Sequence, residues 1–252
     1  MHTLIYDGSF LGFFTAVFEV FEYRYTTAEI IAQSNFSPAF FTETHEVITD
    51  GGKADRVLKY LEKQLGKKGV SQLVAVFLSD LDSREQLLLR VIRYATNHPG
   101  KNILKDYAHP EVIQLTKVAK SVFKEAHRMK GFVRFTKLSN EVFFAVIAPD
   151  YNILPLIKKH FEQRFQDQRW MIYDAGRQYG IMYDLTQADF VFPEESQPLM
   201  PDADSWHKDE ENYQKLWQNY FKRATIPDRK NTKLHLKFIP KRYWKYLTEK
   251  TG

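Results

Sequence analysis

Residues 125–135 read Glu-Ala-His-Arg-Met-Lys-Gly-Phe-Val-Arg-Phe. The string gathers a carboxylate, an imidazole, several cations and two aromatics at an expected helix end. Arginine offers a planar, bidentate fork for phosphate, and lysine a point charge. His127 can move a proton near neutrality. Glu125 can orient a neighbour, act as a base, or pair with Arg128 at i,i+3. The set suits either a surface that meets phosphates and bases or a small acid–base site. It also suits a salt-bridged helix end whose cations complement the C-terminal dipole. Arg134 tips the balance toward function, because it carries the pattern past Gly131 into the strand expected from Phe132 to Leu138.

Other candidates are weaker. Asp7-Gly8-Ser9 and Asp50-Gly51-Gly52 each precede an apolar helical pattern. Free N–H groups there favour anions, but Gly8 and Gly12 form neither a dinucleotide fingerprint nor a P-loop. Helix capping by Ser9 and Asp50 is the expected role. Asp174 and Arg177 bracket a turn, Asn152 is placed as a cap, and His160 as a packed histidine. The chain has no His-x-x-x-His or His-Glu-x-x-His spacing, no dense carboxylate cluster and no Gly-x-Ser-x-Gly elbow.

The elements that must carry these residues follow from periodicity. His2–Tyr6 reads as a strand and Phe10–Tyr23 as a helix, with Phe10, Phe13, Phe14, Val17, Phe18 and Phe21 at helical spacing. Extended Glu46–Ile48 and helical Ala54–Leu65 echo that unit. Leu73–Leu78 fits strand or buried helix equally. Ser83–Ala95 is helical, and Asn97-His98-Pro99-Gly100 breaks it.

Pro110 opens the next helix, which runs to about Lys130. Val112, Leu115, Val118, Ala119, Val122, Phe123, Ala126 and Met129 are expected to line its core side, while Lys117, Lys120, Lys124 and Arg128 cluster opposite. Paired strands Phe132–Leu138 and Val142–Ala148, a helix Ile153–Phe165, and extended runs Trp170–Asp174 and Gly180–Tyr183 give the order α-β-β-α-β-β. The expected class is α+β. An N-terminal α/β or α-rich region, residues 1–98, packs with an α+β core on an antiparallel sheet, residues 99–252, with a basic tail and C-terminal helices. The two are expected to form one compact unit.

Composition sets the outer limits. The chain has 252 residues, 44% of them hydrophobic, so a sizeable core is available. The formal charge of +5 permits an anionic partner. No cysteine is present, which excludes disulfides, thiolate-bound zinc, iron–sulfur ligation and a cysteine nucleophile within this chain. No signal peptide and no membrane-spanning apolar run is read, so a cytoplasmic protein without membrane contact is expected, with no metal or cofactor. Charge is segregated. Residues 186–211 are acidic, with Lys208 the only Lys or Arg, whereas residues 222–252 are basic, with Asp228 and Glu249 the only acids. Tyr243, Trp244 and Tyr246 interleave the basic tail, a mixture that suits a nucleic-acid backbone with exposed bases. A solvated terminal helix with its aromatics packed inward fits the same composition.

Several strings together resemble a bacterial family described as DNA-repair or DNA-metabolism proteins associated with a radical-SAM protein. They are Tyr6–Phe10, Ala126–Phe135, Ala148–Asn152, Trp170–Asp174, Arg229–Asn231 and Pro240–Trp244. The resemblance implies a DNA partner, single-stranded or damaged DNA included, and a radical-SAM protein partner. Some relatives carry a uracil-DNA glycosylase-like domain downstream, which this chain is expected to lack. The family assigns no catalytic residues.

Two main readings follow. In the first, the protein is an accessory that grips nucleic acid through Lys117, Lys120, Lys124, Arg128, Lys130, Arg134, Arg229, Asn231, Lys241, Arg242 and Trp244, with Phe132, Phe135, Tyr243 or Trp244 stacking on a base. In the second, it is a hydrolase or glycosylase acting on a nucleic acid or nucleotide, with His127 as acid/base, Glu125 as its orienter or the base, and Arg134 as anion stabiliser. A protein-interaction scaffold using the acidic segment and the basic tail is a third. The cations are more abundant than any acid/base pair, which favours binding.

Overall fold

The computed structural model describes residues 2–38, 43–193, 203–226 and 231–250. It is a mixed α+β protein, as the element order predicts. Proximity along the backbone divides the chain into two units, 1–122 and 123–252, with the division inside one helix.

The first unit starts with β1 (His2–Tyr6), α1 (Phe10–Glu22), β2 (Ala28–Ala32) and β3 (Glu43–Glu46). The three strands form a parallel sheet in the order β2-β1-β3. Ser9 ends the turn after β1, and its hydroxyl accepts the Gly12 N–H at 2.9 Å, so capping starts α1 as expected. Asp50 does the same for α2 (Gly51–Phe77), accepting from Gly52 and Lys53. Gly66, at φ 72°, kinks α2 into two helical runs. The second run carries Leu73–Phe77 inside the helix, which settles that ambiguous segment. Helix α3 (Arg84–Asn97) packs on α2, and α2 on α1. Leu4, Tyr6, Phe13, Phe14, Val17, Leu61, Leu73 and Leu88 fill the core between them.

The helix α4 (Pro110–Phe132) starts in the first unit and ends in the second. Gly131 does not terminate it. The helix runs through Gly131 to Phe132, with no positive φ at the glycine. The expected strand from Phe132 shrinks to β4 (Thr136–Lys137). The cause is packing: Val133 is buried and its N–H still bonds the Met129 carbonyl, and the Phe135 ring packs on Phe161, Phe165 and Trp170.

The second unit continues with β5 (Phe143–Ile147), α5 (Leu154–Arg164), β6 (Trp170–Asp174), β7 (Tyr179–Tyr183) and β8 (Ala188–Val191). These make a five-stranded sheet in the order β4-β5-β6-β7-β8. The sheet is mixed rather than wholly antiparallel. β5 and β6 pair in parallel because α5 forms a crossover between them, while every other pair is antiparallel. All five residues of the central β6 are buried, as a strand covered on both faces requires. Trp170 points to the face that carries Phe135 and Phe161, whereas Met171 and Tyr173 alternate onto the other with Phe144. Helices α6 (Glu210–Ala224) and α7 (Thr232–Phe238) and a 3₁₀ turn over Lys241–Tyr246 complete the unit. No helix among the described residues is long and apolar enough to cross a membrane.

Candidate functional site

Five of the notable side chains, Glu125, Asp174, Arg177, Arg242 and Tyr243, gather at one loop of the second unit, residues 148–152. Glu125 projects from the core side of α4 and is only 4% exposed. Its Oε1 accepts the Asp150 N–H at 3.0 Å and its Oε2 the Tyr151 N–H at 2.8 Å. The buried Tyr243 hydroxyl donates to the same Oε1. Arg242 Nη2 donates to the Tyr243 hydroxyl at 2.8 Å and pairs with Asp150 Oδ2 at 2.7 Å. Burial, and then Glu125 as its acceptor, push the Tyr243 phenol well above its ordinary value.

From the β6–β7 turn, Arg177 holds the loop's other side. Its Nη1 and Nη2 donate to the Pro149 and Asp150 carbonyls at 3.2 and 2.9 Å. Asp174, fully buried, braces Arg177 with an ion pair at 3.0 Å. Burial raises the Asp174 carboxyl above its ordinary range, against the opposing pull of Arg177 and two backbone N–H groups. Tyr179 donates to the Asn152 side chain. Asn152 is therefore tied across the sheet and makes no side-chain cap to α5.

Arg134 lies in a second cluster. Its Nε and Nη2 grip both oxygens of Glu249 at 3.1 and 2.8 Å, and its Nη1 donates to the Gly131 and Val133 carbonyls. The guanidinium sits 5.3 Å from the Trp217 ring, and the Trp217 indole N–H donates to Glu249 Oε2 at 2.9 Å. Burial alone would raise the Glu249 carboxyl, but the hydrogen bonds from Arg134 and Trp217 outweigh it and hold it below the usual range. The fork expected to grip a phosphate already holds a carboxylate of this chain.

The remaining candidates divide by exposure. Lys117, Lys120, Lys124 and Lys130 are exposed on α4. Among the described residues, their ammonium groups have no carboxylate within ion-pair distance. His127 is exposed too, and no described contact joins it to Glu125. Two residues apart on a helix, the two side chains leave on different faces. Arg128 donates to the Lys237 carbonyl at 2.7 Å, near the end of α7. Asn231 caps α7 through Leu234. Lys241 is exposed, and half-buried Trp244 donates its indole N–H to the Ile239 carbonyl at 3.0 Å. Arg229 and part of the acidic segment, 194–202, lie outside the described residues. Of the proposed stacking rings, Tyr243 is buried and Phe132 packs against it.

A family model described as a domain of unknown function, DUF4130, matches residues 82–249. The chain belongs to this family. No curated protein matches it. The DUF4130 segment holds the whole 148–152 cluster and the Arg134–Glu249–Trp217 cluster. Within it, the contributions of Asp150, Arg177 and Tyr179 go beyond sequence reasoning. Asp174 and Arg177 were visible as a bracketed turn, but nothing in the spacing named the loop they hold.

Outside the DUF4130 segment, the first unit's turn is closed by its own carboxylate. Asp7 accepts the Ser9 N–H and the Thr49 hydroxyl, each at 2.8 Å. Burial pushes this carboxyl up, but those bonds prevail and hold it low. A methyl group on Gly12 would meet Asp7 Oδ1 at 2.2 Å, so the glycine is needed for the close approach.

Proposed function

We propose that this chain is a nucleic-acid-binding accessory protein of DNA metabolism, working beside a radical-SAM partner. The observation that supports the reading most directly is the set of exposed lysines on α4: Lys117, Lys120, Lys124 and Lys130. Most partly buried cations of the DUF4130 segment are held by carboxylates or carbonyls, as Arg128, Arg134 and Arg177 are. These four keep their charge facing water. Such groups release counterions from a nucleic-acid backbone at little desolvation cost. Lys241 and Lys245 add exposed charge from the C-terminal turn. The radical-SAM partnership rests on the resemblance and on chemistry. A chain without cysteine offers no thiolate ligands for an iron–sulfur cluster, so radical steps fall to a second protein.

The test is fluorescence anisotropy of labelled duplex DNA across a salt series. Binding should weaken steeply with salt, with a log–log slope near 0.9 per phosphate contact. Replacing Lys117, Lys120 and Lys124 together by alanine should flatten that slope by roughly 2–3 units. A slope unchanged in the triple variant, or no binding at any salt, overturns the reading.

A further inference from the structure

Helix α6 carries a file of rings that the fold covers only in part. Tyr213, Trp217 and Phe221 recur every fourth residue and so share one side of the helix. Tyr220 stands beside them, its ring 5.7 Å from that of Trp217. Tyr213 is 60% exposed, Tyr220 64% and Trp217 40%. A helix on a soluble domain ordinarily turns such a file inward. Two hollows open along it. The first, about 510 Å³, lies at the N-terminal half of α6, with Arg134, Lys137 and His207 in its wall. The second, about 920 Å³, lies at the C-terminal half and is walled by Phe221, Phe238, Trp244, Lys222 and Lys250. Both volumes lie in the range of sites that take a nucleotide-sized group.

Charge separates the possible occupants. Among the described residues, no Asp or Glu lines the second hollow. In the first, Glu210 is already engaged by the Lys137 N–H and the Gln214 amide, and Asp209 lies 3.6 Å from His207. The Lys250 ammonium is held 4.8 Å from the Phe221 ring and 5.1 Å from the Trp244 ring. Flat rings recur about 6 Å apart along the axis. The cations of the first hollow, Arg134 and Lys137, are held by Glu249 and Glu141, whereas Lys222 and Lys250 at the second have no carboxylate within ion-pair distance among the described residues.

We propose that the α6 file, together with Phe238 of α7 in the second hollow, is a platform for a single strand of nucleic acid, with bases against Tyr213, Trp217 and Phe238 and phosphates toward Lys222 and Lys250. The proposal rests on the nucleic-acid reading above, but names a different surface and a different strand state. Bases stack on aromatic side chains whatever their identity, and the backbone answers the cations. An amphipathic protein helix docks in a hydrophobic groove, and Ile226, Leu234 and Ile239 line the second hollow, but Lys222 and Lys250 line it too. Here the most exposed rings are tyrosines, whose hydroxyls prefer water.

The experiment measures anisotropy of a labelled oligothymidylate and, separately, of duplex DNA. It compares the full chain with a Tyr213→Ala/Phe238→Ala variant and a Lys222→Gln variant. Tyr213 and Phe238 are exposed, and among the described residues their side chains make no hydrogen bond and no ring contact, so their loss leaves the fold intact; circular dichroism checks this. Each ring removed should weaken oligothymidylate binding roughly tenfold, and Lys222→Gln should lower its salt slope by about 0.7. Duplex binding through α4 should persist in both variants. Wild-type oligothymidylate affinity in the double variant overturns the platform and leaves the α4 reading standing. A chain that binds duplex but not oligothymidylate overturns the platform in the same way, as does an acidic amphipathic peptide that binds α6 where oligothymidylate does not. Failure to bind either nucleic acid overturns both.

Discussion

Arg134→Lys keeps the charge and tests what the planar fork does. Four hydrogen bonds leave the Arg134 guanidinium, two to Glu249 and one each to the Gly131 and Val133 carbonyls. A lysine ammonium can meet one carboxylate oxygen but cannot span both and also return to the backbone. Glu249 is 3% exposed and Arg134 24%, so water can replace what the arginine loses more easily than what the glutamate loses. A charge-assisted bond is worth about 1.5–3 kcal/mol, and a guanidinium over an indole about 0.5–1 kcal/mol at a partly exposed site. Allowing for water at the lost backbone bonds, Arg134→Lys should cost about 2 kcal/mol. That corresponds to a melting temperature lower by about 4–8 °C for a chain of this size. The assay is urea and thermal unfolding followed by tryptophan fluorescence.

Glu249→Gln probes the same pair from the other side. The folded state holds the Glu249 carboxyl below its ordinary value. The pair's contribution is therefore fully present above the unfolded value of about 4.5 and is lost as pH falls through the lower folded value. The gap between wild type and Glu249→Gln should accordingly close in acid. An Arg134→Lys protein with a wild-type urea midpoint at neutral pH, or a Glu249→Gln penalty that persists unchanged into strong acid, would refute the reasoning. In either case Arg134 would be free to serve a ligand.

Gly131→Ala should stabilise the protein by about 0.5–1 kcal/mol, because the glycine lies inside α4 without positive φ and an added Cβ meets nothing within 4 Å; a destabilised variant in urea unfolding would argue against the continued helix. Tyr243→Phe should cost about 1–3 kcal/mol by leaving Glu125 and Arg242 without their shared hydroxyl. The raised Tyr243 and Tyr6 phenols should remain protonated in alkali where exposed tyrosines ionise. Stability should then fall as pH rises above about 10, where the unfolded chain releases those protons, and titration by ultraviolet absorbance would detect both groups.

What the sequence made legible was short-range. Ser9 and Asp50 were readable as caps because a cap and its N–H lie within three residues. The order α-β-β-α-β-β was readable from periodicity, although β8 and α7 are too short to announce themselves. Gly131 misled because a glycine after a cationic turn resembles a helix stop, whereas Phe132 and Val133 are drawn onward by burial. The parallel pairing of β5 with β6 is decided by where α5 packs, not by either strand's residues. Roles set by remote partners were invisible. Glu125 meets Tyr243 and Arg134 meets Glu249 across more than a hundred residues, and no spacing rule spans that distance. The sequence could name these residues as notable but not say that they face inward. The exposure of the α6 rings follows from tertiary packing, because their spacing suits an inward-facing side equally.

The grip of Glu125 on the 148–152 loop has a consequence for sequence latitude. The carboxylate takes two successive peptide N–H groups, of Asp150 and Tyr151, rather than their side chains. Any residue with an amide hydrogen satisfies it equally, so the clamp fixes the path of the loop while leaving its surface chemistry open to change. Only proline at either position removes a donor outright. A relative could replace Tyr151 with a residue of quite different character and present it at the same place in space. Asp150 is held three times, through its N–H by Glu125, through its carbonyl by Arg177 and through its carboxylate by Arg242, and only the last depends on its side chain.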